Sequence, residues 1–306
     1  MSEEQPPISE VMEERRRLLS LAYRMTGTIG EAEDVVQETY LRWYRMSEQE
    51  RAAIRNPAAW LTRVASRVAL DELTSARARR ERYIGQWLPE PVPADLFAGT
   101  APGAVSADTA DPADRVTLDE SVGTALLTVL EAMTPAERVA FVLHDVFAMP
   151  FPEIAEIVGR TPAAVRQLAS SGRRHVRQHR AVPVASSEHD ETVRAFSAAT
   201  RSGDLASLMQ VLAPGVELRS DGGGVVSAAR NPVLGTDRVA RFMLGVMAKQ
   251  PRLRLTELRT ADGLGYRLTL GEQFFGVMSF RVEAGRIADV WLMLNPAKLG
   301  SWLSVS

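Results

Sequence analysis

Cysteine is absent from the 306 residues, which excludes disulfides and thiolate metal ligands. Histidine is scarce, at 4 in the chain, and aromatic residues make up only 6%. His175 and His179 stand one helical turn apart, a spacing that can hold a metal, but no third ligand is near and arginines surround them. No metal and no cofactor are expected. No apolar run approaches the roughly 18 residues that span a bilayer, so no membrane association is expected either. The first residues are polar and acidic (Glu3, Glu4, Glu10, Glu13, Glu14), unlike a secretion signal or a transit peptide, and point to a cytoplasmic protein. There is no internal repeat. Charge of one sign is lacking too: 36 Lys and Arg against 38 Asp and Glu leave a net charge of -2. A free-standing nucleic-acid binder usually carries a basic surplus.

What is present is ordinary in amount and uneven in placement. Hydrophobic residues at 45% and charged residues at 24% suit a soluble globular protein. The length allows two or three domains. Arg77, Arg79, Arg80 and Arg82 form one basic cluster. Between Arg160 and Arg180, Arg166, Arg173, Arg174 and Arg177 follow with no acidic residue among them. Local basic faces on a near-neutral chain suit a protein that meets DNA alongside a larger partner.

The chain divides into pieces at 1–85, 86–115, 116–182 and 188–306. The first is helical. Ala32, Val35, Val36, Thr39, Tyr40 and Trp43 form one stripe of a helix over 31–46, with Gly27 and Gly30 ending the segment before it. Asn56-Pro57 opens the next helix, whose buried face is Trp60, Leu61, Val64, Ala65 and Val68. Residues 91–115, rich in Pro, Ala, Gly and Asp, read as a flexible linker, preceded by an exposed-looking tag, Trp87-Leu88-Pro89-Glu90-Pro91. Helices return at 116–180, where Thr134-Pro135-Ala136-Glu137 is a capping box. From about 188 the pattern is mixed. Helices are expected at 188–201, 205–212 and 236–249. In the strand that follows, Phe274, Gly276, Met278, Phe280 and Val282 share one face, and Phe275, Val277 and Ser279 the other. Glu283-Ala284-Gly285-Arg286 reads as a hairpin turn. The fold class is therefore multi-domain: two all-α domains joined by a linker, then an α+β domain.

Residues 152–179 carry the sharpest signal. A short helix to Val158, a turn at Gly159-Arg160-Thr161 and a helix from Pro162 match the helix-turn-helix plan. Ile154, Val158, Val165 and Leu168 would bury the shared face, with Ala155 small at the close approach. Ala169, Gly172 and Val176 continue the inward register. Arg166, Ser170, Arg173 and Arg177 then line up outward. Arg166 and Gln167 suit base contacts, since arginine pairs with guanine and glutamine with adenine. Arg173, Arg174 and Arg177 suit phosphates.

At this point the chain resembles the extracytoplasmic-function sigma factors. Ala32-Glu33-Asp34-Val35-Val36-Gln37-Glu38-Thr39-Tyr40 is similar to that family's signature helix. By that resemblance Asp34, Gln37 and Glu38 contact core RNA polymerase. The segment from Pro57 to Asp71 resembles the helix that recognises the −10 promoter element, with Arg63, Arg67 and the Arg77–Arg82 cluster as its basic groups. The helix-turn-helix corresponds to the domain that reads the −35 element. Core polymerase and promoter DNA are thus the implied partners, and the implied activity is promoter recognition in transcription initiation, not enzymatic catalysis.

The resemblance extends to the subgroup with a fused SnoaL-like domain, a cone-shaped α+β fold. Three motifs carry it: Trp87–Pro91, Asp221-Gly222-Gly223-Gly224 and Asn295-Pro296-Ala297-Lys298-Leu299. Val225 and Ala297 stand where the subgroup usually has lysine and aspartate. The expected role is regulatory: Asp221–Gly224 and Asn295–Leu299 pack against Trp87–Pro91 and so fix the linker between the two DNA-reading domains. A catalytic pocket would need an acid or base. Asp221, Asp262 and Tyr266 are the candidates, and nothing in their spacing marks a catalytic pair; His189, the sole histidine of this half, lies near its start. A pocket ligand is not legible. The alternatives are a one-component regulator whose C-terminal domain senses a ligand, and an enzyme with an incidental helical half.

Overall fold

The structure is a computed structural model and describes residues 8–80, 83–97, 123–179 and 184–303. The side chains of residues 8–13, 76–80 and 179 lie outside that description, as does everything at 98–122. The chain forms two compact units. One comprises Met1–Arg79, Phe97–Val122 and Val129–His179, the other Arg80–Leu96, Gly123–Thr128 and Arg180–Ser306.

The first unit opens with α1 (Ile8–Thr26) and α2 (Ile29–Arg45), separated at Gly27, whose φ of 84° no side-chain-bearing residue adopts comfortably. Thr28 caps α2 by accepting from the Glu31 N–H. Gly30 therefore lies inside the first turn of α2 and not in the break, because the Thr28 cap starts the helix earlier than the glycine pair suggests. A short α3 (Glu48–Ala52), held by a Ser47/Glu50 capping box, leads to α4 (Pro57–Arg80), where Asn56 Oδ1 accepts from the Ala59 N–H at 3.0 Å. Ala32, Val35 and Val36 of α2 and Leu61, Ala65 and Val68 of α4 are buried as their periodicity requires. Trp43 and Trp60 are only half-buried and pack ring on ring at 5.2 Å.

Helix α5 (Thr124–Glu131) precedes α6 (Pro135–Phe141), which starts on the Thr134/Glu137 capping box. A π-helical turn at Val142–Val146 follows, then α7 (Phe151–Val158) and α8 (Pro162–His179). Gly159 closes α7 in a left-handed cap at φ 67°, and Thr161 Oγ1 accepts from the Ala164 N–H to start α8. Ile154, Ala155 and Val165 are buried, while Val158 and Leu168 are half-buried. Ile157 is buried alongside Ile154. Gly172 permits α8 to close on α6, since a Cβ there would fall 2.9 Å from Phe141 Cβ.

The second unit is built on a six-stranded sheet of order β2-β1-β6-β5-β4-β3. Helices α9 (Ser186–Ser202) and α10 (Leu205–Val211) lead into β1 (Leu212–Asp221), followed by β2 (Val233–Leu234) and α11 (Thr236–Lys249). Then come β3 (Leu253–Thr260), β4 (Gly263–Leu270), β5 (Gln273–Glu283) and β6 (Arg286–Met293). β1 pairs with β6 in parallel and the other ladders are antiparallel. Phe196, Leu208 and Met243 of the three helices pack with Tyr266, Met278, Phe280 and Val290 of the sheet in one core. On another side Val277, Trp291 and Met293 meet Leu88, Leu299 and Trp302.

The two phenylalanines of β5 fall on the faces opposite to those expected. Phe275 joins the Met278 and Phe280 core, and Phe274 joins Val277 and Trp291. A register shift between Leu268 and Thr269 opposite this point inserts an unpaired residue, which reverses the alternation beyond it. The β5–β6 connection is a two-residue turn in which Ala284 (φ 47°) and Gly285 (φ 69°) both lie in the left-handed region, the hairpin turn that matches strand twist.

Candidate functional site

The Trp87–Pro91 segment is not exposed. Leu88, Pro89, Glu90 and Pro91 are buried and Trp87 is half-buried, because the segment lies within the second unit. Alternating prolines (Pro89, Pro91, Pro93) keep the chain extended and strip alternate N–H groups, so the remaining polar backbone groups need partners from outside it.

The Asp221 carboxylate, fully buried, supplies much of that need. Its Oδ2 accepts from the Leu88 N–H at 3.0 Å and from Lys298 Nζ at 2.8 Å. Its Oδ1 accepts from the Tyr83 hydroxyl at 2.6 Å and from the Gly223 N–H at 2.9 Å. A carboxylate offers about four acceptor sites, so this one is filled. Burial, then the hydrogen bond and charge of Asp221, push the Tyr83 phenol well above its ordinary value, which keeps the hydroxyl a donor. Lys298 Nζ also donates to the Leu88 carbonyl at 2.6 Å and lies 4.0 Å from the Trp87 ring centre. The aromatic face and the carboxylate together compensate a cation removed from water.

The other two motifs shape this site. Asn295 donates from Nδ2 to Tyr83 Oη at 2.8 Å and accepts the Ala297 N–H at 3.1 Å, which starts the turn that aims Lys298 inward. Gly222 and Gly223 admit no side chain: a Cβ would stand 2.1 Å from the Val226 carbonyl and 2.5 Å from the Asn295 carboxamide. Val225 and Ala297, the two departures from the subgroup pattern, are both exposed, so neither leaves a buried group without a partner.

Several partners of the linker were not legible in advance. Trp302 Nε1 donates to the Pro91 carbonyl at 2.7 Å, and Gln86 Nε2 to the Ala229 carbonyl at 2.9 Å. Pro93 bridges antiparallel to Thr260, the Ala261 N–H donates to the Val92 carbonyl, and the Ala94 N–H donates to the Arg259 carbonyl. The linker thus forms one isolated antiparallel bridge at the end of β3. Only the prolines hinted at an extended segment.

In the first unit, most of the α8 face expected to read DNA is exposed. Arg166, Gln167, Ser170, Arg174 and Arg177 are exposed. Arg173 is half-buried and gives Nη1 to Asp145 at 3.0 Å, so its charge is locally balanced, unlike that of a free phosphate contact. Gln167 lines a cleft of about 760 Å³ with Asp71 and Thr74 of α4. On α4, Arg63 lies 3.7 Å from Glu153 and 3.5 Å from Glu156, and Arg67 donates to the Glu156 carbonyl at 3.2 Å. The side chains of Arg77, Arg79 and Arg80 lie outside the described residues, as does the whole of Arg82.

On α2, Asp34 and Gln37 are exposed, and Glu38 accepts from Arg42 Nε at 2.8 Å. Beside them Leu41 and Tyr44 are 42% and 67% exposed. Together with Asp34 and Gln37 they recur at the spacing of one helical face, a mixed apolar and polar strip of the kind protein partners cover.

The residues considered for catalysis are committed elsewhere. Asp221 grips the linker. Asp262 accepts from both the N–H and the Oγ1 hydroxyl of Thr124 at 2.6 Å, and burial pushes its carboxyl up to about 6 against those bonds. Tyr266 donates to the Val193 carbonyl at 3.4 Å, and His189 Nε2 lies 3.4 Å from the Phe280 carbonyl. Among the described residues no group of three or more potential ligands is placed to hold a metal ion, and no helix is long and apolar enough to cross a membrane. The side chain of His179, paired in sequence with His175, falls outside that description.

Comparison with known proteins matches residues 11–79 to Sigma-70 region 2 and residues 123–176 to Sigma-70, region 4. The ECF RNA polymerase sigma factor SigJ of Mycobacterium tuberculosis (strain ATCC 25618 / H37Rv) is 40% identical, over 95% of this chain and 92% of that one. The probable ECF RNA polymerase sigma factor SigI of the same strain is 37% identical, over 98% and 97%. The crystal structure of Mycobacterium tuberculosis SigJ is similar with a TM-score of 0.71 at 34% identity, covering 96% of this chain and 98% of that chain.

Proposed function

This chain belongs to the extracytoplasmic-function RNA polymerase sigma factors, and we propose that its C-terminal domain regulates promoter recognition by gripping the linker between the two DNA-reading domains. A sigma factor works with core RNA polymerase on promoter DNA, which fits local basic faces on a chain of net charge -2. In this reading the α2 strip of Asp34, Gln37, Leu41 and Tyr44 meets the polymerase. The α4 face bearing Arg63 and Arg67 engages the −10 element, and Arg77, Arg79 and Arg80 continue it. Helix α8 enters the major groove at the −35 element, Arg166 and Gln167 toward base edges, Ser170, Arg174 and Arg177 toward the backbone. The setting is cytoplasmic.

The observation that carries the regulatory reading is the buried Lys298–Asp221 pair closed on both backbone groups of Leu88. A tether held at its backbone has fewer conformations, and the two DNA-reading domains it joins then sample fewer separations. Such a grip constrains spacing between promoter elements without touching DNA. The SnoaL-like α+β domain acts here as an interaction module, with no catalytic step.

Transcription by purified core polymerase from a fragment library tests this, comparing the full chain, Trp87→Ala and a chain ending before Ser186. Amide exchange at Leu88 and Ala94 is followed in parallel. Trp87→Ala should speed exchange at both amides and change output across promoters of different element spacing. Faster exchange with unchanged output would reject the regulatory role and leave the sigma assignment standing.

A further inference from the structure

The exposed arginine best placed for base contact does not stand alone on the recognition helix. The Arg166 guanidinium carbon lies 5.5 Å from the centre of the Phe151 ring, within cation–π reach. Phe151 stacks in turn on His144, ring centres 3.8 Å apart and 27° from parallel. His144 Nδ1 sits 3.1 Å from the Met149 carbonyl, which pins the imidazole to the loop it precedes. Guanidinium, phenyl ring and imidazole thus form one column beside α8.

The column comes from an unusual stretch of backbone. His144 lies in the π-helical turn Val142–Val146, Ala148 adopts φ 53°, and Phe151 is the first residue of α7. π turns recur where side chains must be re-aimed, and a non-glycine residue at positive φ is strain that surrounding structure has to maintain. The same stretch sends Asp145 to Arg173, two turns beyond Arg166 on α8. One irregular segment therefore restrains both arginines on that side of the helix.

Restraint matters for the two kinds of DNA contact differently. A phosphate tolerates an arginine that arrives in many rotamers. A bidentate bond to a base edge demands one plane and one direction, and a side chain already held there loses less freedom on binding. We infer that Phe151, backed by His144, is a positioning residue for sequence readout at the −35 element, holding Arg166 in the orientation that pairs with a base. This rests on Arg166 being a base contact, as proposed above.

The test uses holoenzyme assembled from the full chain, with transcription measured from promoters carrying every base at each −35 position. Variants are Arg166→Ala, Phe151→Leu, Phe151→Tyr and the Arg166→Ala/Phe151→Leu double. Arg166→Ala should flatten preference at one position. Phe151→Leu should weaken preference at that same position by about two- to fivefold, the size of an exposed cation–π contact. Phe151→Tyr should retain it, and the double variant should match Arg166→Ala alone. Full discrimination at that position with Phe151→Leu would overturn the inference, as would a loss spread evenly over all bases and additive in the double variant. Unchanged preference everywhere in Arg166→Ala would overturn both the inference and the base contact beneath it.

Discussion

Lys298 shows how much one side chain can carry when it is removed from water. Its ammonium is held against Asp221 and the Leu88 carbonyl, and the residue as a whole is buried. Breaking a buried pair from one side leaves the other charge uncompensated, at about 3–5 kcal/mol. Lys298→Met, which keeps the stem, should lower the stability of the C-terminal unit by that order in thermal or urea unfolding. Val225→Lys, which restores the subgroup's usual residue at an exposed position, should change it by less than about 0.5 kcal/mol. Equal effects from the two substitutions would mean the pair is no anchor. The glycines at 222 and 223 belong to the same arrangement: Gly222 lets the loop fold against the Val226 carbonyl, and Gly223 lets it pass the Asn295 carboxamide.

Among the elements, α5 depends on a residue far away in the chain. Gly123 precedes the helix and has no side chain to accept a first-turn N–H, so Asp262, in the β3–β4 turn, accepts from Thr124 instead. The Asp262 carboxyl, half-buried in the turn, is pushed up to about 6, chiefly by desolvation, from an unfolded value near 3.9. Between those values the native state binds more protons than the unfolded one, so stability falls as pH rises through the window. Compared with Asp262→Asn, the unmodified chain should gain up to about 3 kcal/mol on going from pH about 6.5 to about 4. Urea titrations of both proteins across that range check the sign. A flat difference would show that Asp262 titrates normally.

In the molecule as a whole, α4 and α7 share charge across an exposed surface. Arg63 pairs with Glu153 and Glu156 across exposed surface, so these carboxylates occupy a side chain that promoter binding is expected to use. Exposed pairs are worth at most about 1 kcal/mol. Replacing both glutamates by glutamine should therefore raise promoter affinity of the holoenzyme by no more than about fivefold, and the gain should shrink at high salt. Filter binding at two ionic strengths separates this from a fold defect, which would lower affinity at both.

Much of this architecture was legible beforehand because local rules govern it. Thr134/Glu137, Asn56-Pro57 and Gly159 mark helix ends by chemistry that acts within one turn, and the α8 pattern separates inward from outward residues by period alone. The motifs Trp87–Pro91, Asp221–Gly224 and Asn295–Leu299 were visible, and the aromatic, proline-framed tag suggested that they meet, but not through which atoms. Where local rules gave way, a neighbour intervened. The bulge opposite Leu268 reversed Phe274 and Phe275, Asp145 took Arg173, and the Trp302 indole found the Pro91 carbonyl. Sequence by itself determined most helices and several of their caps, the helix-turn-helix and the α+β character of the last domain, since period and capping act over a few residues. Tertiary structure alone decided that the linker bridges to the end of β3, that Asp221 and Lys298 close on Leu88, and that Asp262 caps α5. Those bonds join residues up to 210 positions apart, and only packing can choose such partners.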